Sequence, residues 1–278
     1  LASYLEGFAL TVAAMAAPDA MARVAFEAAE DARADGAVLA SGSMDDAAIL
    51  WSMADGHELR RIAGHQGDVN AVRFTRDSKR LVTASDDTVL GLWDLADGHL
   101  VTELAGHRDV VVAIAISPAD GTIASGALDK TIRLWNPDTG ALLATYGKRR
   151  SSATSLAFSP DGRRLLAAAD KAPYEQDIYD VAKGAIALSY RGHDGLTHAT
   201  AFSPDGATAV TAGGSNNEIH VWDPSTGKVQ QVLAGTAALI TGGGSGIGLA
   251  SARHLLRDGA SGAPLPPTFI DQANSITS

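Results

Sequence analysis

The sequence contains no cysteine, which removes disulfides, thiolate metal sites, iron–sulfur clusters, covalent haem and thiol nucleophiles. Basic residues are outnumbered 22 to 32, leaving a net charge of −10. Nucleic-acid affinity comes largely from Lys and Arg neutralising phosphates, and anionic membranes attract the same residues, so neither is an expected partner. Long hydrophobic runs are also missing. The longest, Phe8–Ala17, has ten residues and is too short to span a bilayer. Leu1–Gly7 before it holds Glu6 and no Lys or Arg, unlike the start of a secretory leader, so the expected location is the cytoplasm. Aromatics are scarce at 5%, but 46% hydrophobic and 19% charged residues describe a folded globular chain.

The scarce aromatics recur at a fixed interval. Trp51, Trp93, Trp135, Tyr179 and Trp222 are separated by 42, 42, 44 and 43 residues. Gly64-His65 and Gly106-His107 are 42 apart, and Gly192-His193 lies two periods further on. A third marker, a strand ending in a turn, reads FTRDSK from Phe74, ISPADG from Ile116, and FSPDG from Phe158 and again from Phe202. Three markers sharing one period define a repeat. Within one period, apolar alternation and turn residues predict four short strands: Val69–Phe74, Arg80–Ser85, Val89–Asp94 and Leu100–Leu104. The next copy predicts Val110–Ile116, Thr122–Ser125, Thr131–Trp135 and Leu142–Tyr146. A four-stranded sheet of this size cannot bury both of its faces alone. Stacking such sheets around an axis does.

The strings GHQGDVNAVRFTRDSKRLVTASDDTVLGLWD and GHRDVVVAIAISPADGTIASGALDKTIRLWN resemble WD-repeat β-propeller blades. The expected fold is therefore all-β, about five four-stranded antiparallel blades over residues 36–235. A five-bladed ring, a fragment of a larger ring and an open array completed by a partner all remain open. The resemblance implies a buried polar network in each blade, in which a His, a Ser or Thr, a turn Asp and the Trp indole are hydrogen-bonded in sequence. By position these are His65, Ser85 or Thr83, Asp87 and Trp93 in the second blade, and His107, Ser125, Asp129 and Trp135 in the third. Blade one keeps Asp45 and Trp51 without a Gly-His pair. Blade four has Gly147-Lys148 in place of Gly-His, Tyr179 in place of Trp, and Pro173 at the turn. Blade five has His193 and Trp222, with Asn216 at the turn. The fourth is expected to be the least regular and most easily opened blade, with a longer connection through AADKAPYEQDIYD.

Both ends read differently. Pro18 and Asp19, the spacing of Met21, Val24, Ala25 and Ala28, and Gly36 as a stop predict a helix over 19–34 within an N-terminal segment 1–35. An alternative places Arg23–Phe26 as a first strand; the Ala/Glu-rich run that follows favours the helix. At the other end, residues 236–260 read as a strand, a glycine loop and an amphipathic helix, a shape that can cradle a phosphate. This stretch resembles the opening of a short-chain dehydrogenase/reductase, with Thr241, Gly242, Gly246 and Gly248 in its glycine motif and Ser245 and Ile247 between them. That resemblance implies NAD or NADP binding, yet the acidic residue about 20 positions on is missing. The only Tyr-x-x-x-Lys, Tyr179 to Lys183, lies upstream, in phase with the blade aromatics. Residues 261–278 read as a flexible tail.

The reading is a non-enzymatic protein-interaction scaffold that expects no cofactor and binds a protein or peptide, basic by charge, on a propeller face. Candidate contacts are Gln66, Asp68, Asp86, Arg108, Asp109, Leu128 and Asp194. The alternative is a catalytically incomplete NAD(P)-binding oxidoreductase-derived chain or fusion.

Overall fold

A computed structural model describes residues 27–233 except 148 and 217. It consists of twenty strands in five four-stranded antiparallel sheets, each in simple sequence order. The first sheet holds β1 (Glu27–Ala32), β2 (Val38–Ser43), β3 (Ala47–Ser52) and β4 (Glu58–Ala63). The second holds β5 (Val69–Phe74), β6 (Arg80–Ser85), β7 (Leu90–Asp94) and β8 (Leu100–Leu104). The third holds β9 (Val111–Ile116), β10 (Ile123–Ala127), β11 (Ile132–Trp135) and β12 (Leu142–Tyr146). The fourth holds β13 (Ala153–Phe158), β14 (Arg164–Ala169), β15 (Gln176–Asp180) and β16 (Ala185–Tyr190). The fifth holds β17 (Thr197–Phe202), β18 (Ala209–Gly213), β19 (Glu218–Trp222) and β20 (Val229–Leu233).

The recurrent FSPDG motif is a turn held by its own side chains. Ser159 Oγ donates to Asp161 at 2.6 Å and accepts the Arg164 amide at 2.9 Å, while Asp161 accepts the Arg163 amide at 3.1 Å. Thr75 with Asp77 and Ser203 with Asp205 build the same knot. Such side-chain-to-backbone bonds fix the hairpin that joins the first two strands of a sheet.

Successive sheets pack face to face through their first strands, in the order β1, β5, β9, β13, β17. Four apolar clusters lie between neighbouring sheets. In the cluster between the first two sheets, Trp93 joins Val38, Leu50, Val72 and Leu81. Trp135 does the same between the second and third sheets, with Leu90, Leu92 and Leu104. Tyr179 lies between the third and fourth sheets, and Trp222 between the fourth and fifth. These four recurring aromatics are therefore plugs of inter-sheet cores, whereas Trp51 packs on Leu39 and Ile49 of its own sheet. The innermost strands are also tied directly: the Phe74 amide donates to Asp31 at 2.8 Å, Asn70 to the Val111 carbonyl at 3.1 Å, and Thr154 to the Thr197 carbonyl at 2.9 Å. Among the described residues, no packing of comparable extent joins β17 back to β1.

The expected helix over 19–34 is corrected where the structure describes it: Glu27–Ala32 is strand β1, paired with β2 so that Ala32 faces Leu39. The first sheet thus begins at Glu27, ahead of the expected boundary at 36. Ala and Glu favour helix, but sheet pairing and the bond from Phe74 to Asp31 outweigh a preference of a few tenths of a kcal/mol per residue. The period itself held the signal. Ala32 lies 42 residues before Phe74, and Asp35-Gly36, with Gly36 at φ 68°, takes the place of the Asp77-Ser78 turn. The remainder of the expected helix lies outside the described residues.

Candidate functional site

The loops that enter each sheet and the turns between its second and third strands share one face of the array. Behind them run the buried polar chains. In the third sheet Trp135 Nε1 donates to Ser125 Oγ at 2.8 Å, Ser125 meets His107 Nε2 at 2.7 Å, and His107 Nδ1 meets Asp129 at 3.0 Å. The second sheet matches it through Trp93, Thr83, His65 and Asp87 at 2.8, 2.6 and 2.8 Å. Thr83 rather than Ser85 is the link. Gly91 lies opposite Thr83, and a Cβ there would come within 2.3 Å of the indole nitrogen. The missing side chain lets the indole lie across β7 and reach Thr83. Ser85 bonds instead to the Gly67 carbonyl. In the first sheet, Trp51 reaches Ser41 at 2.8 Å.

Since a carboxylate only accepts, Nδ1 carries the proton in His65 and His107. Nε2 then accepts from the hydroxyl, and the hydroxyl oxygen accepts from the indole. Every buried polar atom along the chain is satisfied, where one left alone costs about 1–3 kcal/mol. Burial holds the His107 imidazole below its ordinary value, against the pull of Asp129. For Asp87, burial works upward, but the Gln66 amide and His65 outweigh it and keep the carboxyl below its ordinary range.

The fourth sheet fills the same position differently. Arg149, 42 residues after His107, takes the imidazole's place, so the expected Gly147-Lys148 equivalence shifts by one residue. Its buried guanidinium pairs with Asp177 at 3.2 Å and donates to Tyr179 Oη at 3.2 Å and to the Ala168 carbonyl at 3.3 Å. Asp177 also accepts Ser189 Oγ at 2.6 Å. Burial raises the Asp177 carboxyl, with Ser189 and Arg149 opposing, and raises the Tyr179 phenol. The connection between β14 and β15 runs over 170–175, longer than 86–89 and 128–131 in the second and third sheets, as the sequence suggested. In the fifth sheet His193 Nε2 meets Thr211 at 2.9 Å and Trp222 donates to Thr211 at 3.2 Å. Ser215, rather than Asn216, occupies the position of the turn Asp: a Cβ on Gly195 would meet the Ser215 nitrogen at 3.0 Å, just as one on Gly67 would meet that of Asp87 at 2.9 Å.

One feature survives all these changes. A carboxylate fastens the entering loop to the turn in each of sheets two to five. Asp87 accepts the Gln66 amide, Asp129 the Arg108 amide, Asp170 the Ser152 amide at 2.8 Å, and Asp194 the Ser215 amide at 2.8 Å. The carboxylate sits on the turn in sheets two to four and on the loop in sheet five. Loops fastened this way form a prearranged surface and spend little ordering entropy on binding.

The surface is electrically uneven. Over the first two sheets Asp46, Asp68 and Asp86 lie together; burial, then the charge of Asp86, then that of Asp46 raise the Asp68 carboxyl. Over the third to fifth sheets charges of both signs are exposed, Arg108, Lys130, Arg150 and Arg191 beside Asp109 and Asp194, with Arg191 paired to Glu175. Asp46, Arg149, Asp170 and Asp177 were not singled out from the sequence, although the 42-residue offset from His107 marks Arg149. Of the remaining sequence candidates, Asp109, Asp194, Arg108 and Gln66 are exposed on this face and Leu128 is half-buried. Tyr179 is buried on β15 and stacks on Tyr146 at 5.2 Å, while exposed Lys183 pairs with Asp180 in the following turn. Thr241, Gly242, Ser245, Gly246, Ile247 and Gly248 lie outside the described residues.

Radially packed four-stranded sheets with indole-centred polar chains define a β-propeller type of array. The sequence matches the family described as WD domain, G-beta repeat, over 56–94, 98–136, 140–172 and 184–223, together just over half the chain. The chain belongs to this family. WD-repeat domains are typically protein-interaction scaffolds. Each matched unit begins at or just before the outermost strand of one sheet and runs into the next, so the unit of sequence bridges two sheets. Among curated proteins, an uncharacterized WD repeat-containing protein of Synechocystis sp. (strain ATCC 27184 / PCC 6803 / Kazusa) is 35% identical over 74 residues, 27% of this chain. The match spans 20% of that relative's length.

Proposed function

We propose that the chain is a non-catalytic docking module whose loop face binds a basic segment of a partner protein over the first two sheets. The observation that carries this reading is Asp68, held between Asp46 and Asp86 with its carboxyl raised by burial and by their charge. In the free protein the three carboxylates repel, and a Lys- or Arg-bearing peptide relieves that repulsion. The fastened loop and turn of the second sheet keep Asp68 and Asp86 in place before the partner arrives. Docking of this kind requires no cofactor.

Fluorescence anisotropy with a panel of labelled Arg/Lys-rich peptides tests the reading. The Asp46→Asn/Asp68→Asn/Asp86→Asn variant is expected to lose binding at least tenfold, to lose its salt dependence, and to melt no lower than the parent. Unchanged peptide affinity would overturn the proposal. Calorimetry with NAD(H) and NADP(H) is expected to show no heat at millimolar ligand. Micromolar binding abolished by Gly246→Val would favour the nucleotide-binding alternative instead.

A further inference from the structure

The fifth sheet departs from the second and third in one chemical respect. With Ser215 in place of the turn Asp, His193 Nδ1 has no hydrogen-bond partner although the residue is only 6% exposed. The carboxylate that would have met it is on the neighbouring residue, Asp194, and is engaged elsewhere. Asp194 accepts the Ser215 amide at 2.8 Å and its hydroxyl at 2.5 Å, and these bonds hold its carboxyl below the ordinary range.

The surroundings of His193 can be named from each side. Thr211 on β18 meets Nε2 at 2.9 Å. His220 on β19 stacks on the imidazole with ring centres 4.0 Å apart. His220 in turn meets Glu218 at 3.0 Å through Nε2 and Tyr190 Oη at 2.7 Å through Nδ1. Glu218 only accepts, so in a neutral His220 the proton is on Nε2 and Tyr190 donates to Nδ1. Tyr190 stands edge-on to His193 at 6.4 Å; burial, with the charge of Glu218, raises its phenol to about 12. Burial, followed by the charge of His220, lowers His193 to about 4, with the Thr211 backbone, Glu218 and Asp194 opposing. At neutral pH His193 is uncharged.

A Cβ on Gly214 would be 3.1 Å from Asp194 Oδ1 and 3.3 Å from His193 Nδ1, so the carboxylate and the orphaned nitrogen flank the same small volume. Asp194 therefore has two competing uses. It can accept from Ser215, fastening loop to turn, or from His193 Nδ1–H: an unpartnered Nδ1 beside a carboxylate carries a lone pair, so the neutral ring donates to Thr211 through Nε2 and gains its Nδ1 proton in acid. We propose that the loop-to-turn fastening of the fifth sheet is an acid-sensitive latch, in which protonation of His193 draws the Asp194 carboxylate from Ser215 and frees the turn. The second and third sheets lack this behaviour. Asp87 and Asp129 already accept from the imidazole and from the loop amide together, so acid offers them no second position.

The sign follows from the shift. A native imidazole at about 4 against an ordinary 6.5 binds fewer protons when latched than when open. The latch is fully closed above pH 6.5 and weakens as pH falls toward 4, where one-proton linkage raises the opening constant about tenfold per unit. Imidazole NMR titration and amide hydrogen exchange, corrected for intrinsic exchange, test this on the intact chain. His193 is expected to titrate near 4. The Ser215 amide is expected to lose protection about tenfold per unit below pH 6.5, while the Arg108 amide, held by Asp129, keeps its protection. Asp194→Ser/Ser215→Asp returns the carboxylate to the turn and is expected to raise the His193 titration by at least one unit and flatten the Ser215-position exchange. His193→Gln is expected to remove the pH dependence. A His193 titrating near 6.5, a Ser215 amide equally protected at pH 7 and 5, or an undiminished pH dependence in His193→Gln would each overturn the proposal, and the first two need no variant to fold.

Discussion

The third and fourth sheets share strand order and packing, yet solve the same buried polar position in opposite ways. In the third, an indole, a hydroxyl, a neutral imidazole and a carboxylate pass hydrogen bonds in one direction. In the fourth, a guanidinium and a carboxylate meet as charges, and a tyrosine hydroxyl replaces the indole nitrogen. The third-sheet chain holds one charge, the Asp129 carboxylate, and the Arg108 and Thr131 amides and the Thr131 hydroxyl hold it along with His107, so it tolerates gradual weakening. The ion pair is paired and hydrogen-bonded in place, but removing one member strands a buried charge. A scaffold can thus keep its shape while its individual sheets differ in how they fail.

Substitutions in the two sheets are expected to differ in cost. The largest effects are expected at Arg149 and Trp135. Arg149→Met leaves Asp177 buried without its cation and should destabilise by about 3–5 kcal/mol, with much of the loss recovered in Arg149→Met/Asp177→Asn, read by urea denaturation. Trp135→Ala opens the core between the second and third sheets at a similar expected cost of about 3–5 kcal/mol. If Arg149→Met cost no more than a surface change, the contrast between the sheets would fail. An intermediate effect is expected for His107→Phe, which leaves the Ser125 hydroxyl without its acceptor and takes one of several partners from Asp129, at about 1–3 kcal/mol. Tyr179→Phe removes one hydrogen bond from Arg149 and should cost about 1 kcal/mol.

Acid separates the two sheets by sign. His107 lies below 6.5 in the folded protein, so its contribution is complete above pH 6.5 and declines as pH falls through that value toward its folded one. Asp177 lies above 3.8, so on acidification the folded state takes up its proton first and gains relative to the unfolded chain. Stability measured against pH should therefore fall less steeply below 6.5 in His107→Gln than in the parent. The smallest expected change is Asp68→Asn alone, within about 0.5 kcal/mol of the parent in stability.

Most of the fold could be read from spacing. The strands expected at Val69–Phe74, Arg80–Ser85, Leu100–Leu104 and Leu142–Tyr146 occur with those ends. What spacing did not yield was decided by neighbours. Strand β1 looks helical alone and becomes a strand because β2 and Phe74 offer it partners. The choice between Thr83 and Ser85 depends on the room left by Gly91, which no single-residue preference expresses. Arg149 was missed because its chemistry differs from histidine's, although its position in the period does not. Asp170 and Asp194 were harder to see because a carboxylate can fasten the same pair of backbones from different places. The acidic patch at Asp46, Asp68 and Asp86 was only partly visible, because residues from two turns and a loop meet there.

The offset between a sequence unit and a sheet has a consequence for how such a chain can change length. Cutting anywhere and rejoining one period later restores an equivalent backbone junction, with outer strand, entering loop and knotted turn in phase. Duplication or loss of one period thus changes the number of sheets by one and leaves every remaining interface between neighbours of the kind already present. Growth and shrinkage of the array are in this sense structurally silent.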